Sequence, residues 1–192
     1  MIKSFKLFES RDYIEKTMIS LGIYLNNFTI NDNGSVDVDD NVSLNGQILS
    51  TIPFQFGRID GDFRCVNTGL KSFIGFPYYV SGSVFCGNNN LTSFDGCPKY
   101  IGVHFNGYNN KFTSFKGFPD SLNCHITPLY LEKSPVHEIF RLNPCIDFIH
   151  MINEYEAIRN KNIVVEDRLR QALEDSGGNY NERIHFNHYQ LV

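Results

Sequence analysis

Tryptophan is absent, and no stretch of the chain approaches the ~18 consecutive apolar residues a membrane-spanning helix needs. The opening residues, Met1-Ile2-Lys3-Ser4-Phe5-Lys6-Leu7-Phe8, lack the long apolar run of a signal peptide. A block of single-sign charge is missing too. Residues 1–48 carry four basic and seven acidic groups, 49–128 six and four, and 129–192 seven and ten, for a net charge of −4. A chain with no basic stripe is a poor ligand for phosphate backbones, so direct nucleic-acid binding is not expected. The five cysteines lie 21, 11, 27 and 21 residues apart, which matches neither a zinc site nor a disulfide framework. Free thiols in a reducing cytosol are therefore the expectation. No glycine-rich phosphate loop is present.

What is present is phenylalanine, 17 residues of it, standing where leucine is more usual. Three segments begin alike: Leu70-Lys71-Ser72-Phe73-Ile74-Gly75-Phe76-Pro77, Leu91-Thr92-Ser93-Phe94-Asp95-Gly96-Cys97-Pro98 and Phe112-Thr113-Ser114-Phe115-Lys116-Gly117-Phe118-Pro119. Each starts 21 residues after the last, and Leu49 and Phe28 extend the register backwards. The columns Val38/Ile59/Val80/Ile101/Leu122 and Val42/Phe63/Val84/Phe105/Ile126 keep the same step, and Leu44/Cys65/Cys86 follow it before the column decays. A fixed period of this length marks stacked repeats.

Within one unit, Val84 and Cys86 alternate with Ser83, Phe85 and Gly87, which is the period of a strand with one buried face. Gly87-Asn88-Asn89-Asn90 then turns, and Leu91 and Phe94 return to the core. The spacing of Val84, Cys86, Asn89 and Leu91 fits the leucine-rich-repeat pattern. The ninth place reads Gln47, Thr68, Asn89, Asn110, a polar ladder suited to satisfying buried backbone groups at the turn. The expected fold is an α/β repeat: a short leucine-rich-repeat-like solenoid of four to five turns, with one parallel strand per 21-residue turn. The expected organisation is an N-terminal helical cap over 1–27, the solenoid over 28–131, a C-terminal helical cap over 132–178 and a polar tail over 179–192, with Ile184 and Phe186 as the tail residues able to dock.

Helix signals support the caps. Asp12 and Glu15 have capping-box spacing, Ile14, Met18 and Leu21 share a face, and Gly22 can stop the helix. Cys145, Phe148, Ile149, Ile152 and Tyr155 form a second stripe. Val165, Leu169, Ala172 and Leu173 form a third, with Gly177 after it. A short helix is expected between Pro135 and Leu142.

The segment Leu91-Thr92-Ser93-Phe94-Asp95-Gly96-Cys97-Pro98-Lys99-Tyr100-Ile101-Gly102, together with Gly61-Asp62-Phe63-Arg64-Cys65 and the entry Ile30 to Val38, resembles a leucine-rich-repeat-like family of tailed bacteriophages, including T-even-like phages. The likeness covers roughly residues 28–175, with few turns and Phe in place of Leu. It implies a phage accessory protein in the cytoplasm of an infected bacterium that binds and inhibits a host protein. A defence protein or toxin, such as a toxin that ADP-ribosylates DNA, is the sharpest form of that expectation.

The strand face pointing away from the core is the candidate partner-binding surface. Its residues are Asp62, Ser83, His104 and His125 in one column, Arg64, Phe85, Asn106 and Thr127 in the next, and Val66 and Tyr108 in a third. Parallel neighbours ~4.8 Å apart make these columns one patch, and Tyr, Phe and Arg are enriched in binding hot spots. His104 and His125 are close neighbours without a third ligand, so no metal, cofactor or catalytic site is expected there. Asp37, Asp39 and Asp40 lack calcium-loop spacing, and His185 and His188 lack partners. Two other readings stay open: a structural or assembly component of the phage particle, and an enzyme acting on nucleic acid or nucleotide.

Overall fold

The computed structural model describes residues 11–119, 121–122, 130–181 and 184–192. The elements are α1 (Arg11–Ser20), β1 (Phe28–Ile30), β2 (Ser35–Val38), β3 (Val42–Ser43), β4 (Gln55–Ile59), β5 (Phe63–Arg64), β6 (Tyr79–Val80), β7 (Val84–Phe85), β8 (Tyr100–Ile101), β9 (Phe105–Asn106) and β10 (Ser121–Leu122). They continue with α2 (His137–Phe140), α3 (Ile146–Glu154), β11 (Ile158–Arg159), β12 (Ile163–Val164), α4 (Glu166–Asp175) and β13 (Gln190–Leu191).

The architecture is a β-solenoid of stacked parallel strands with a few helices. The register is the one the 21-residue period implies: Val42 pairs with Phe63, Phe63 with Val84 and Val84 with Phe105. The expectation of one strand per turn is corrected. Each level carries two short strands on either side of a corner, giving one sheet ordered β3-β5-β7-β9 and another ordered β1-β2-β4-β6-β8-β10. The second sheet grows from the Val38/Ile59/Val80/Ile101 column, whose inward residues are all fully or almost fully buried. That column alternates with outward Arg58, Tyr79 and Tyr100, so it meets the same two-residue criterion as the first. Glycine makes the corner between the sheets possible. A Cβ on Gly82 would lie 2.7 Å from the Gly61 carbonyl oxygen, and one on Gly102 would clash with the Ser81 carbonyl.

The core is a stack of rings. Phe94 lies 4.2 Å from Phe112 with the rings nearly parallel, and 5.0 Å from Phe118 edge-on. Phe73 meets Phe76 edge-on at 4.8 Å, and Phe63 lies 5.0 Å from Phe76. Cys65 and Cys86 are fully buried as small apolar groups.

Helix α1 buries Ile14 and Met18, and Gly22 follows with φ +63°. Asp12 lies inside its first turn and bonds Lys16 at 2.8 Å, so it does not occupy the cap position its spacing suggested. In α3, Cys145 is the N-cap, its Sγ accepting the Phe148 N–H at 3.4 Å. In α4, Leu169, Ala172 and Leu173 are buried, and Gly177 and Gly178 close the helix through Glu174 and Leu173 carbonyls.

The segment expected to be a polar tail is a clasp over its described residues. β13 pairs in parallel with β12, beside the β11–β12 hairpin. Tyr189 is buried, and its hydroxyl donates to the Thr113 carbonyl at 3.0 Å. Glu138 of α2 accepts the Asn187 and His188 N–H groups (2.9 and 3.2 Å), and one of its oxygens lies 2.6 Å from His188 Nδ1. Ile184 and Phe186, the residues expected to be able to dock, pack partly buried against the core, as does Leu191.

Burial pushes the Glu138 carboxyl up, but the hydrogen bonds from His188 and Asn187 outweigh it and hold the group below its ordinary value of 4.5. A lowered folded value means the clasp contributes its stability above the ordinary carboxyl range and loses it as pH falls through the folded value. Glu138→Gln is therefore expected to lower the urea midpoint at pH 7 and to lower it much less near pH 3. An equal loss at both pH values would show that the carboxylate charge is not what holds the clasp.

Candidate interaction face

Along the β3-β5-β7-β9 sheet, Phe63, Val84 and Phe105 point inward while Arg64, Phe85 and Asn106 point outward in register. The centre of this face is an arginine held from two sides. Arg64 donates to Asp62 at 2.7 Å, and its guanidinium carbon sits 4.1 Å from the centroid of the Phe85 ring one turn on. Tyr108 lies two places further along the next turn, with the Lys133 ammonium 5.0 Å from its ring. Arg64, Phe85, Val66, Asn106 and Tyr108 are all half-buried, so they combine accessible surface with fixed position.

Several expected face residues serve the solenoid as well. Asp62 spends one carboxylate oxygen on the Ser83 N–H at 2.8 Å. The carboxamide oxygens of Asn41 and Asn45 accept the Asp62 and Val66 N–H groups in the same way, each at 2.7 Å. Each of these bonds spans 21 residues, so polar groups that look free on this face also tie one turn to the next. Ser83 is corrected outright: it is buried, because its short side chain stands in one column between the longer Asp62 and His104. Asn106 turns its Oδ1 to the Tyr108 N–H at 3.2 Å. His104 is half-buried, with a buried Nδ1 that has no hydrogen-bond partner among the described residues. His125 and Thr127 lie outside the described residues.

Two features went unread in the sequence. Lys133 follows the last repeat, and nothing in the 21-residue pattern places it over Tyr108. The other sheet carries a parallel arrangement: Arg58 is bound twice by Asp60 (2.9 and 2.6 Å) and lies 4.2 Å over Tyr79, which stacks on Tyr100 at 4.6 Å. The hydrogen bonds that Arg58 donates to Asp60 raise its guanidinium further above its already high value. The Arg58/Tyr79/Tyr100 column was legible at the same spacing once a second strand per turn is admitted.

Burial pushes the Cys65, Cys86 and Cys97 thiols up, which opposes thiolate formation. Among the described residues no group of three or more metal-ligating side chains comes together. A depression of about 410 Å³ lined by Glu154, Tyr155, Glu156, Asp167, Arg168 and Gln171 holds one cation, and Arg168 is already bonded to the Tyr155 and Glu156 carbonyls. No helix among the described residues is long and apolar enough to cross a membrane. Comparison with protein-family models, with curated proteins and with solved structures found no match.

Proposed function

We propose that this chain is a non-catalytic interaction module that binds a folded protein through the outer face of the β3-β5-β7-β9 sheet. The observation that carries this reading is the Asp62–Arg64–Phe85 cluster. An arginine braced by a carboxylate and laid on a ring has lost most of its rotamer freedom before binding, so little further ordering is needed when a partner covers it. Arg and aromatic side chains in such settings are the residue types that dominate interface energetics. Rigid strands 21 residues apart hold Tyr108 and Asn106 at fixed offsets from that anchor.

In this reading the solenoid is leucine-rich-repeat-like, and α1 at one end and α2–α4 at the other serve as its caps, as stacked repeats need polar covers. The phage resemblance makes the partner a host protein in the cytoplasm of an infected bacterium. Its sharpest form is a defence protein or a toxin such as a DNA ADP-ribosyltransferase, inhibited by being bound.

The test is capture from host lysate followed by titration with the purified partner. Arg64→Ala, Phe85→Ala and Tyr108→Ala are each expected to weaken binding about tenfold or more, the loss typical of a hot-spot residue, without lowering the melting temperature materially. Wild-type affinity in all three variants would remove this face as the binding site.

A further inference from the structure

The corner between the two sheets carries the same chemistry on both of its sides. The chain passes it as Arg58-Ile59-Asp60-Gly61-Asp62-Phe63-Arg64, with an aspartate, an apolar residue and an arginine at equal steps on either side of Gly61. One turn on it reads Tyr79-Val80-Ser81-Gly82-Ser83-Val84-Phe85, mirrored about Gly82. The two arms are built alike. Each arginine is held by the aspartate nearer the corner and lies on the ring 21 residues later, Arg58 at 4.2 Å from Tyr79 and Arg64 at 4.1 Å from Phe85. Parallel pairing keeps each of these partners in register.

The corner is a ridge. Ile59 and Phe63, with Val80 and Val84 one turn on, all point into one core and have no exposed surface. The outward side chains of the two sheets therefore diverge. The Cα atoms of Arg58 and Arg64 stand at most ~20 Å apart, since extended chain advances ~3.3 Å per residue.

One side of the ridge is too small for a stable interface, which takes about 20–30 residues from each partner. Three outward places on each of four strands give the β3-β5-β7-β9 face about a dozen positions. Two of these, Ser83 and Gly87, are buried. The surface that continues this face across the corner is the one that carries the second arginine.

We propose that the binding surface is bipartite: a folded partner straddles the ridge, and carboxylates on the two walls of its cleft take up Arg58 and Arg64. This rests on the interaction-module reading and adds the shape and charge of the partner. A convex ridge fits a concave partner. Arg58 gives Nε and Nη2 to Asp60, and Arg64 gives Nη2 to Asp62, so both guanidiniums keep donors beyond those their own carboxylates take. Among side-chain acceptors, a carboxylate best matches a planar donor fixed in place. The aspartates and rings hold the two forks apart and facing outward, so the partner orders little of this surface when it binds.

The host protein captured by the wild-type chain, once purified, is the titrant that tests this. Arg58→Ala and Tyr79→Ala are each expected to weaken its binding about tenfold, as the variants across the corner do. Arg58→Ala combined with Arg64→Ala is expected to weaken it about a hundredfold, since the two sites are separate, with an unchanged melting curve. Arg58→Glu sets like charge against the cleft wall and is expected to weaken binding further than Arg58→Ala. Losses confined to Arg64→Ala and Phe85→Ala overturn the bipartite surface and leave the single-face reading standing. Losses confined to Arg58→Ala and Tyr79→Ala overturn both, as does a chain that captures no protein. Two different captured proteins, each released by variants on one side only, overturn the straddling partner. Equal affinity in Arg58→Glu and Arg58→Ala overturns the carboxylate.

Discussion

Asn89→Ala is expected to remove about 3–5 kcal/mol of unfolding free energy, read as a lower urea midpoint at unchanged slope, because several buried backbone groups lose their partner at once. The Asn89 carboxamide oxygen accepts the Thr68, Gly69 and Leu70 N–H groups at 3.1, 2.8 and 3.1 Å and the Thr68 hydroxyl at 2.9 Å. Its nitrogen donates to the Cys65 and Cys86 carbonyls at 2.7 and 3.0 Å. One buried side chain therefore stitches two turns at the place where the chain leaves the strand. Asn110 repeats the arrangement one turn on, donating to the Cys86 and Gly107 carbonyls and accepting the Leu91 N–H. Asn89→Asp retains the acceptors but loses the two-carbonyl donor and adds a buried charge, so it is expected to be no better tolerated than alanine. A loss below about 1 kcal/mol in Asn89→Ala would mean that water replaces the carboxamide inside the coil.

The second large effect is expected at Phe94. Its ring is fully buried and lies against Phe73, Phe105, Phe112, Phe115 and Phe118, so it joins the core of three successive turns. Truncation to alanine removes the ring and leaves a cavity bounded by other stiff rings that cannot collapse into it, a change that costs about 3–5 kcal/mol. Phe94→Leu, which keeps most of the volume, is expected to cost about 1–2 kcal/mol. Each turn of a solenoid touches only its neighbours, so the alanine variant should also unfold less cooperatively. Circular dichroism against urea checks the first point, and hydrogen exchange resolved along the chain checks the second. Uniform loss of protection from α1 to β13 would show instead that the stack unfolds as one unit.

Both residues are marked by the repeat in the sequence itself. Phe94 falls in the Phe73/Phe94/Phe115 column and Asn89 in the ninth-place ladder, and the period is a local property of the chain. The candidate face was legible to a lesser degree. Arg64, Phe85 and Tyr108 could be assigned to the outward side because alternation along a strand requires it. Alternation does not reveal that Asp62 gives half its carboxylate to the next turn, or that Ser83 is sunk between longer neighbours. Those depend on the spacing between levels and on the relative lengths of stacked side chains. Lys133 was out of reach for another reason: it follows the repeat, where no column constrains its position.

The sequence by itself determined the 21-residue step, the parallel register, the inward columns and the polar ladder, because each is a matter of which residues recur at one interval. Tertiary structure alone decided that a turn holds two strands and not one, since the direction of the chain at Gly61 and Gly82 is set by how closely the preceding turn's backbone approaches. It also decided the fate of the C-terminal residues. Tyr189 reaches Thr113 across 76 positions, and Glu138 meets His188 across 50. No local pattern encodes such contacts, because they exist only once the helices have packed and brought both ends of the hydrogen bond to one place.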